Sequence, residues 1–269
     1  MGKAARGISM TQDDRAWMRG GDLSAGFALL TRLPLRASDA ALARGAAAAW
    51  SWPVVGAVLG LLAGLAGVIL LGLGLPAPLA AGLCLGLLTM MTGAMHEDGL
   101  ADTADGFWGG WTVARRLEIM KDSHIGNYGV IALILSLGLR WMALTLLFEA
   151  GLALPALIAV GALSRAVMPG LLHALPFARE GGLSRSVGRV SFDTAVLGAV
   201  LGAALGAILA LMALGLAALL LIMTVALSGW GVAALARGKI GGQTGDVLGA
   251  AQQVAEVAAL LVLVTLVGA

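Results

Sequence analysis

Six acidic side chains fall between residues 97 and 122: Glu97, Asp98, Asp102, Asp105, Glu118 and Asp122. The first four lie within nine residues, in the stretch HEDGLADTADGFWGG at 96–110. If that stretch continues a helix, Asp98, Asp102 and Asp105 stand at i, i+4 and i+7, on one face within about 60° of one another. Three like charges on one face repel, and a divalent cation between them relieves the repulsion. Ligands that are all oxygen favour Mg²⁺ or Mn²⁺ over zinc. Gly99 and Gly106 leave room for a ligand to approach the backbone. The competing reading is a solvated loop whose acids balance Arg115, Arg116 and Lys121. The scarcity of acids elsewhere in the chain favours the metal.

Other polar groups gather in a few places. The segment RRLEIMKDSHIGNYG (115–129) has an apolar side in Leu117, Ile119 and Met120, so part of it is expected to lie at a membrane interface as a helix. Asp122 is a further candidate ligand, Lys121 and Arg116 suit phosphate oxygens, and His124 suits proton transfer or donation to a phosphate. His96 and His173 are expected to be structural. The stretch FAREGGLSRSVGRVS (177–191) mixes Gly and Ser with Arg179, Arg185 and Arg189, a candidate anion cradle or simply a positive loop. In KIGGQTGDVLGA (239–250), a Gly-rich turn with Gln243 and Thr244 leads to Asp246. An acid there is a good helix cap; the turn also suits phosphate or a second metal. Gln252, Gln253 and Glu256 continue a polar stripe. Arg140 and Arg165 fall inside apolar runs, where an arginine costs at least about 2.5 kcal/mol and needs a partner. Arg140 is expected to pair with an acid such as Glu256, and Arg165 to meet a phosphate or carboxylate.

These groups sit in an apolar frame. Of 269 residues, 59% are hydrophobic and 12% charged, against roughly 25% charged in a soluble domain; the mean hydropathy is +0.95. Disorder, a coiled coil and a water-soluble globule are excluded. The single cysteine, Cys84, excludes a disulfide framework and a cysteine-held metal. A net charge of +2 gives no ground for a nucleic-acid partner. Residues 45–96 and 194–236 carry no charge at all, and a bilayer span needs about 20 apolar residues. Seven spans follow, near 53–74, 77–95, 128–148, 153–173, 194–213, 216–236 and 247–268. FALLTRLPL (27–35) is too short to span and is expected to lie at the interface. No cleavable signal segment is visible, and 1–22 reads as a polar extension before a single transmembrane catalytic domain at 23–269. Fifteen of the 17 Lys and Arg fall before span 1 or in alternate loops, which places the N-terminus and every polar loop in the cytoplasm. The fold class is therefore an all-α, polytopic membrane bundle in contact with lipid.

The pattern Asp102-x-x-Asp105-Gly106 partly resembles the CDP-alcohol phosphotransferases, but Phe107-Trp108-Gly109-Gly110 stands where they carry an Ala-Arg pair. A fuller resemblance joins five segments: 27–35, 96–110, 115–130, AREGGLS at 178–184 and GGQTGDVLGA at 241–250. Together they resemble the adenosylcobinamide-GDP ribazoletransferases, also called cobalamin-5′-phosphate synthases, over roughly residues 25–260. The resemblance implies an inner-membrane, Mg²⁺-dependent transferase in cobalamin assembly. It would join adenosylcobinamide-GDP to α-ribazole or its 5′-phosphate and release GMP. On this reading Asp98, Asp102 and Asp105 are the leading metal ligands, with Glu97, Asp122 and Asp246 next. The proton acceptor is one of the same acids or His124. Lys121, Arg116 and Arg165, with Arg32, Asn127, Ser184, Gln243 and Thr244, are the expected substrate and phosphate contacts. The oligomeric state is open, a homo-oligomer included. The rivals are a CDP-alcohol-type phosphotransferase and a cation-coupled transporter. The second suits Arg140, Arg165 and Glu256 but not acids concentrated in one loop region.

Overall fold

The computed structural model describes residues 18–214 and 218–267, with the backbone alone at 207–214 and 267. The polar extension expected at 1–22 lies outside the described residues up to residue 17. Among the described residues a helix lies on each of the seven apolar runs: α3 (Trp52–Gly72), α4 (Ala77–Thr92), α7 (Asn127–Glu149), α8 (Ala153–Ala174), α10 (Phe192–Leu214), α11 (Ala218–Ile240) and α12 (Gly245–Val267). Shorter helices fill the connections: α1 (Gly20–Leu30), α2 (Asp39–Leu42), α5 (Met95–Gly109), α6 (Val113–Ile119) and α9 (Leu183–Val187). Among the described residues five of these are long and apolar enough to cross a bilayer alone, and α4 and α5 are so only when taken together as a bent pair, a broken span or a re-entrant loop. The searched part of α10, Phe192–Gly206, is apolar but shorter. The molecule is a multi-pass helical membrane bundle. Among the described residues the one β contact is an isolated bridge between Phe177 and Gln243.

Small residues set the packing. A Cβ on Gly56 of α3 would run into the carbonyl of Gly161 on α8, and one on Gly161 into that of Gly56. In lipid no hydrophobic force drives helices together, so such close backbone contact supplies the van der Waals attraction.

Two local expectations differ from the structure. The helix near 27–35 begins earlier and ends at Leu30. Its start is tied down by Asp22, which is fully buried, accepts the amide of Arg19 at 3.0 Å and the Trp50 indole N–H at 2.8 Å, and pairs with Arg44. Pro34 follows shortly after, where a helix could not continue. Span 2 does not run on into the acidic stretch. Gly93 (φ 64°) and Ala94 (φ 57°) are both left-handed, and α5 leaves α4 at 87°. The acids therefore stand on a separate helix.

The polar connections assemble at one end of the bundle. The Arg116 guanidinium donates to the carbonyl of Lys239 at 2.8 Å, the amide of Ala178 donates to Gln243 at 3.0 Å, and Arg179 reaches Asp246.

Candidate active site

The site forms where α5 crosses the start of α12. A Cβ on Gly99 would lie 2.8 Å from the Asp246 carbonyl oxygen, and one on Gly249 would lie 3.2 Å from the His96 Cα. Only glycines allow this approach, and it brings Asp98 and Asp102, one turn apart on α5, toward Asp246. Asp246 is not the cap of α12. The Thr244 hydroxyl takes that place, accepting the Val247 amide at 3.3 Å. Asp246 instead accepts Arg179 Nη2 and the Thr244 hydroxyl, each at 3.1 Å.

Asp98 is exposed and Asp102 half-buried. Among the described residues, no hydrogen bond or ion pair from the protein reaches either carboxylate. Asp98, Asp246 and Asp105 all repel Asp102, and Arg179 attracts it. A cavity of about 260 Å³ opens beside them, lined by His96, Asp98, Arg179, Ser184 and Asp246, with apolar walls from Leu30, Trp52 and Met168.

Among the described residues, no three His, Cys, Asp or Glu side chains converge into a metal cage. Mg²⁺ does not need one. It takes one or two carboxylates and completes its shell with water and substrate phosphate. Two carboxylates without protein partners, beside a third, fit an ion of that kind.

Two of the clustered acids face elsewhere. Asp105 accepts the amides of Gly126 at 2.7 Å and Gly129 at 2.9 Å. Gly126 is the N-cap of α7 and has no side chain, so Asp105 supplies the cap from α5. A Cβ on Gly126 would lie 2.5 Å from Asp105 Oδ1. Glu97 accepts Arg140 Nη2 and the Gln253 amide, each at 3.2 Å. Arg140 also reaches Glu256 at 3.1 Å, the pairing expected from the sequence. Arg165 is buried, donates to the carbonyl of Gly161 in its own helix at 3.3 Å, and leaves Nε without a partner in the protein.

The remaining candidates spread around the site. Arg116 is engaged by the carbonyls of Gly110 (2.9 Å) and Lys239 (2.8 Å). Lys121 and Asn127 are exposed. Asp122 and His124 pair in the exposed α6–α7 connection at 2.7 Å. Hydrogen bonding to His124 holds Asp122 below the usual carboxylate range, and Asp122 pushes His124 above the usual imidazole value. Arg32 is exposed and its side chain lies over Gly93 at the α4–α5 bend. Gln243 is 1% exposed and both its amide atoms lack a partner in the protein.

Sequence reasoning took His96 as structural and treated Arg179 as one of three loop arginines. The structure sets both on the cavity wall. The signal for His96 was its place beside Glu97 and Asp98 at the end of an uncharged run; nothing local separates Arg179 from Arg185 and Arg189.

The chain matches the family model described as cobalamin-5-phosphate synthase over residues 22–264. Proteins called adenosylcobinamide-GDP ribazoletransferase from Brucella canis, Brucella abortus and Brucella melitensis are each 48% identical to it over 255 residues, covering 91% of this chain and 96% of theirs. No solved structure matches the chain significantly.

Proposed function

The chain belongs to the cobalamin-5-phosphate synthase family, and from that membership we propose that it joins adenosylcobinamide-GDP to α-ribazole or its 5′-phosphate. The products are adenosylcobalamin, or its 5′-phosphate, and GMP. One observation carries the reading to a place in the molecule: two acids without protein partners face a third across the α5–α12 crossing, beside a cavity.

The ribazole 3′-hydroxyl attacks the cobinamide-side phosphorus. A P–O bond forms there, the bond to GMP breaks, and GMP leaves with the electron pair. Asp98, Asp102 and Asp246 would hold Mg²⁺, which supplies charge neutralisation at the phosphoryl and leaving oxygens. Asp98 and Asp102 are the carboxylates free to take the hydroxyl proton. Asp105 positions the acidic helix by capping α7, and the cavity's apolar wall limits water around the reacting groups. Lys121 stands on the α6–α7 connection and Asn127 opens α7, whose start Asp105 caps, within the same polar end. Arg115, Arg116, Lys121, Arg179, Arg185, Arg189, Arg237 and Lys239 belong to that end, which supports a cytoplasmic orientation in a bacterial inner membrane.

The test is condensation by the purified protein in mild detergent. Adenosylcobinamide-GDP and α-ribazole should give one GMP per corrinoid product, separated by chromatography. A folded sample that forms neither product with either form of ribazole contradicts the reading.

A further inference from the structure

Arg179 is held at the mouth of α12 by its neighbours. The amide of Ala178 donates to Gln243 at 3.0 Å, and the amide of Gln243 donates to Pro176 at 2.8 Å. These two bonds pin residues 176–178 against the 241–245 turn. From there Arg179 Nη2 reaches Asp246 at 3.1 Å, while Nη1 is buried with no partner in the protein. His96 also lines this cavity, 2% exposed, its Nε2 without a partner in the protein.

A guanidinium offers five donors in a planar fork and is built for two oxygens at once. Asp246 takes one donor through one oxygen. The His96 imidazole is buried and its Nε2 is unpaired in the protein. Buried polar groups in native proteins are nearly always satisfied, so two such groups on residues that line one cavity suit a polar occupant. Asp98 and Asp246 share this wall with Arg179, so an anionic occupant fits where it takes the unpaired Arg179 Nη1 and meets the carboxylates through a cation.

Resting on the reading of this site as the place of diphosphate chemistry, we propose that Arg179 binds the diphosphate and that Asp246 is only its resting partner. Arrival of the phosphoryl oxygens draws Arg179 off Asp246 and frees that carboxylate to face a cation together with Asp98 and Asp102. A diphosphate offers Arg179 two oxygens on charged groups, against the single oxygen it now shares. The exchange makes diphosphate and divalent cation bind with positive coupling, which is reciprocal. Without diphosphate, Asp246 stays neutralised and the cation site is incomplete.

Adenosylcobinamide-GDP alone cannot react, so its binding to the full chain in detergent is measured without ribazole. Mn²⁺ binding is read separately by electron paramagnetic resonance. In the unaltered protein each ligand should tighten the other. Arg179→Ala should weaken adenosylcobinamide-GDP by about 10- to 100-fold, the size of a lost charge-assisted contact. It should leave Mn²⁺ binding without substrate equal or tighter, and abolish the coupling. Arg179→Lys, which keeps the charge but not the fork, should fall between the two and guards against a folding defect. Unchanged substrate binding in both variants overturns the proposal. So does loss of Mn²⁺ binding in both without substrate, which would make Arg179 a structural prop. Failure of the unaltered protein to bind adenosylcobinamide-GDP would instead overturn the functional reading, and is distinct from either.

Discussion

Oδ1 of Asp105 on α5 accepts the amide of Gly129 on α7 across 2.9 Å. Its other oxygen takes the amide of Gly126 at 2.7 Å. One carboxylate thus caps a span that has no capping side chain of its own, and locks the acidic helix to the bundle. Asp105→Ala leaves two first-turn amides without that acceptor. It should cost about 1–3 kcal/mol, seen as a lower unfolding temperature in detergent. Asp105→Asn keeps one acceptor oxygen and should cost less. An unchanged unfolding temperature in the alanine variant would refute the capping role.

Asp102 has no such structural task among the described residues. Asp102→Asn should leave the unfolding temperature unchanged and lower turnover by about 100- to 1000-fold, the size of losing one group that stabilises transition-state charge. Steady-state kinetics beside a thermal melt separates the two effects. Turnover at the unaltered rate would remove Asp102 from the site.

Arg140 is 1% exposed and neutralises both Glu97 and Glu256. Arg140→Met strands two buried carboxylates and should destabilise by about 3–5 kcal/mol. Adding Glu97→Gln and Glu256→Gln to the same chain should recover part of that loss. If the triple variant is no more stable than the single one, charge is not what Arg140 provides.

The Asp122–His124 pair gives a pH dependence whose sign is fixed by both shifts. His124 is pushed up, so its contribution to order in the connection is present below the ordinary imidazole value and fades as pH rises through the raised one. Asp122 is pushed down, so its share is present above the ordinary carboxylate value and fades as pH falls through the lowered one. The pair is intact from mildly acidic to near-neutral pH. In an NMR titration, His124 should titrate above 6.5, and Asp122→Asn should bring it back down. Equal midpoints in the two proteins would mean the pair does not form.

The bend before α5 carries a strained residue. Ala94 has φ 57°, a left-handed conformation that costs a non-glycine residue roughly 1–2 kcal/mol. Ala94→Gly should therefore raise stability by about 1 kcal/mol without loss of turnover. A destabilised variant would show that the alanine methyl does more in packing than it costs in backbone strain.

The spans were legible because bilayer thickness sets their length and charge ends them; α7 (Asn127–Glu149) lies within a residue of the expected 128–148. The acids stood out because charge is rare in this chain. The Arg140–Glu256 pair followed from the cost of leaving either alone in lipid. The α4–α5 bend was not legible, since no proline marks it and Ala94 is an ordinary helix former. Nor was the division of labour among the acids. One helical face was expected to hold Asp98, Asp102 and Asp105 around one ion. Where each carboxylate goes is decided by partners 24 residues away for Asp105 and 43 residues away for Glu97, and spacing along one helix carries no such information. Arg179 met Asp246 across 67 residues for the same reason.

The central claim is that the acids at the α5–α12 crossing hold a divalent cation on which diphosphate cleavage depends. Its most direct test is the initial rate of GMP release from adenosylcobinamide-GDP and α-ribazole, in protein stripped with EDTA and then titrated with Mg²⁺. The rate should be negligible in EDTA, rise with Mg²⁺ to saturation, and stay negligible at every Mg²⁺ concentration in a variant carrying both Asp98→Asn and Asp102→Asn. Undiminished GMP release from the stripped protein, or full Mg²⁺ activation of the double variant, would contradict it.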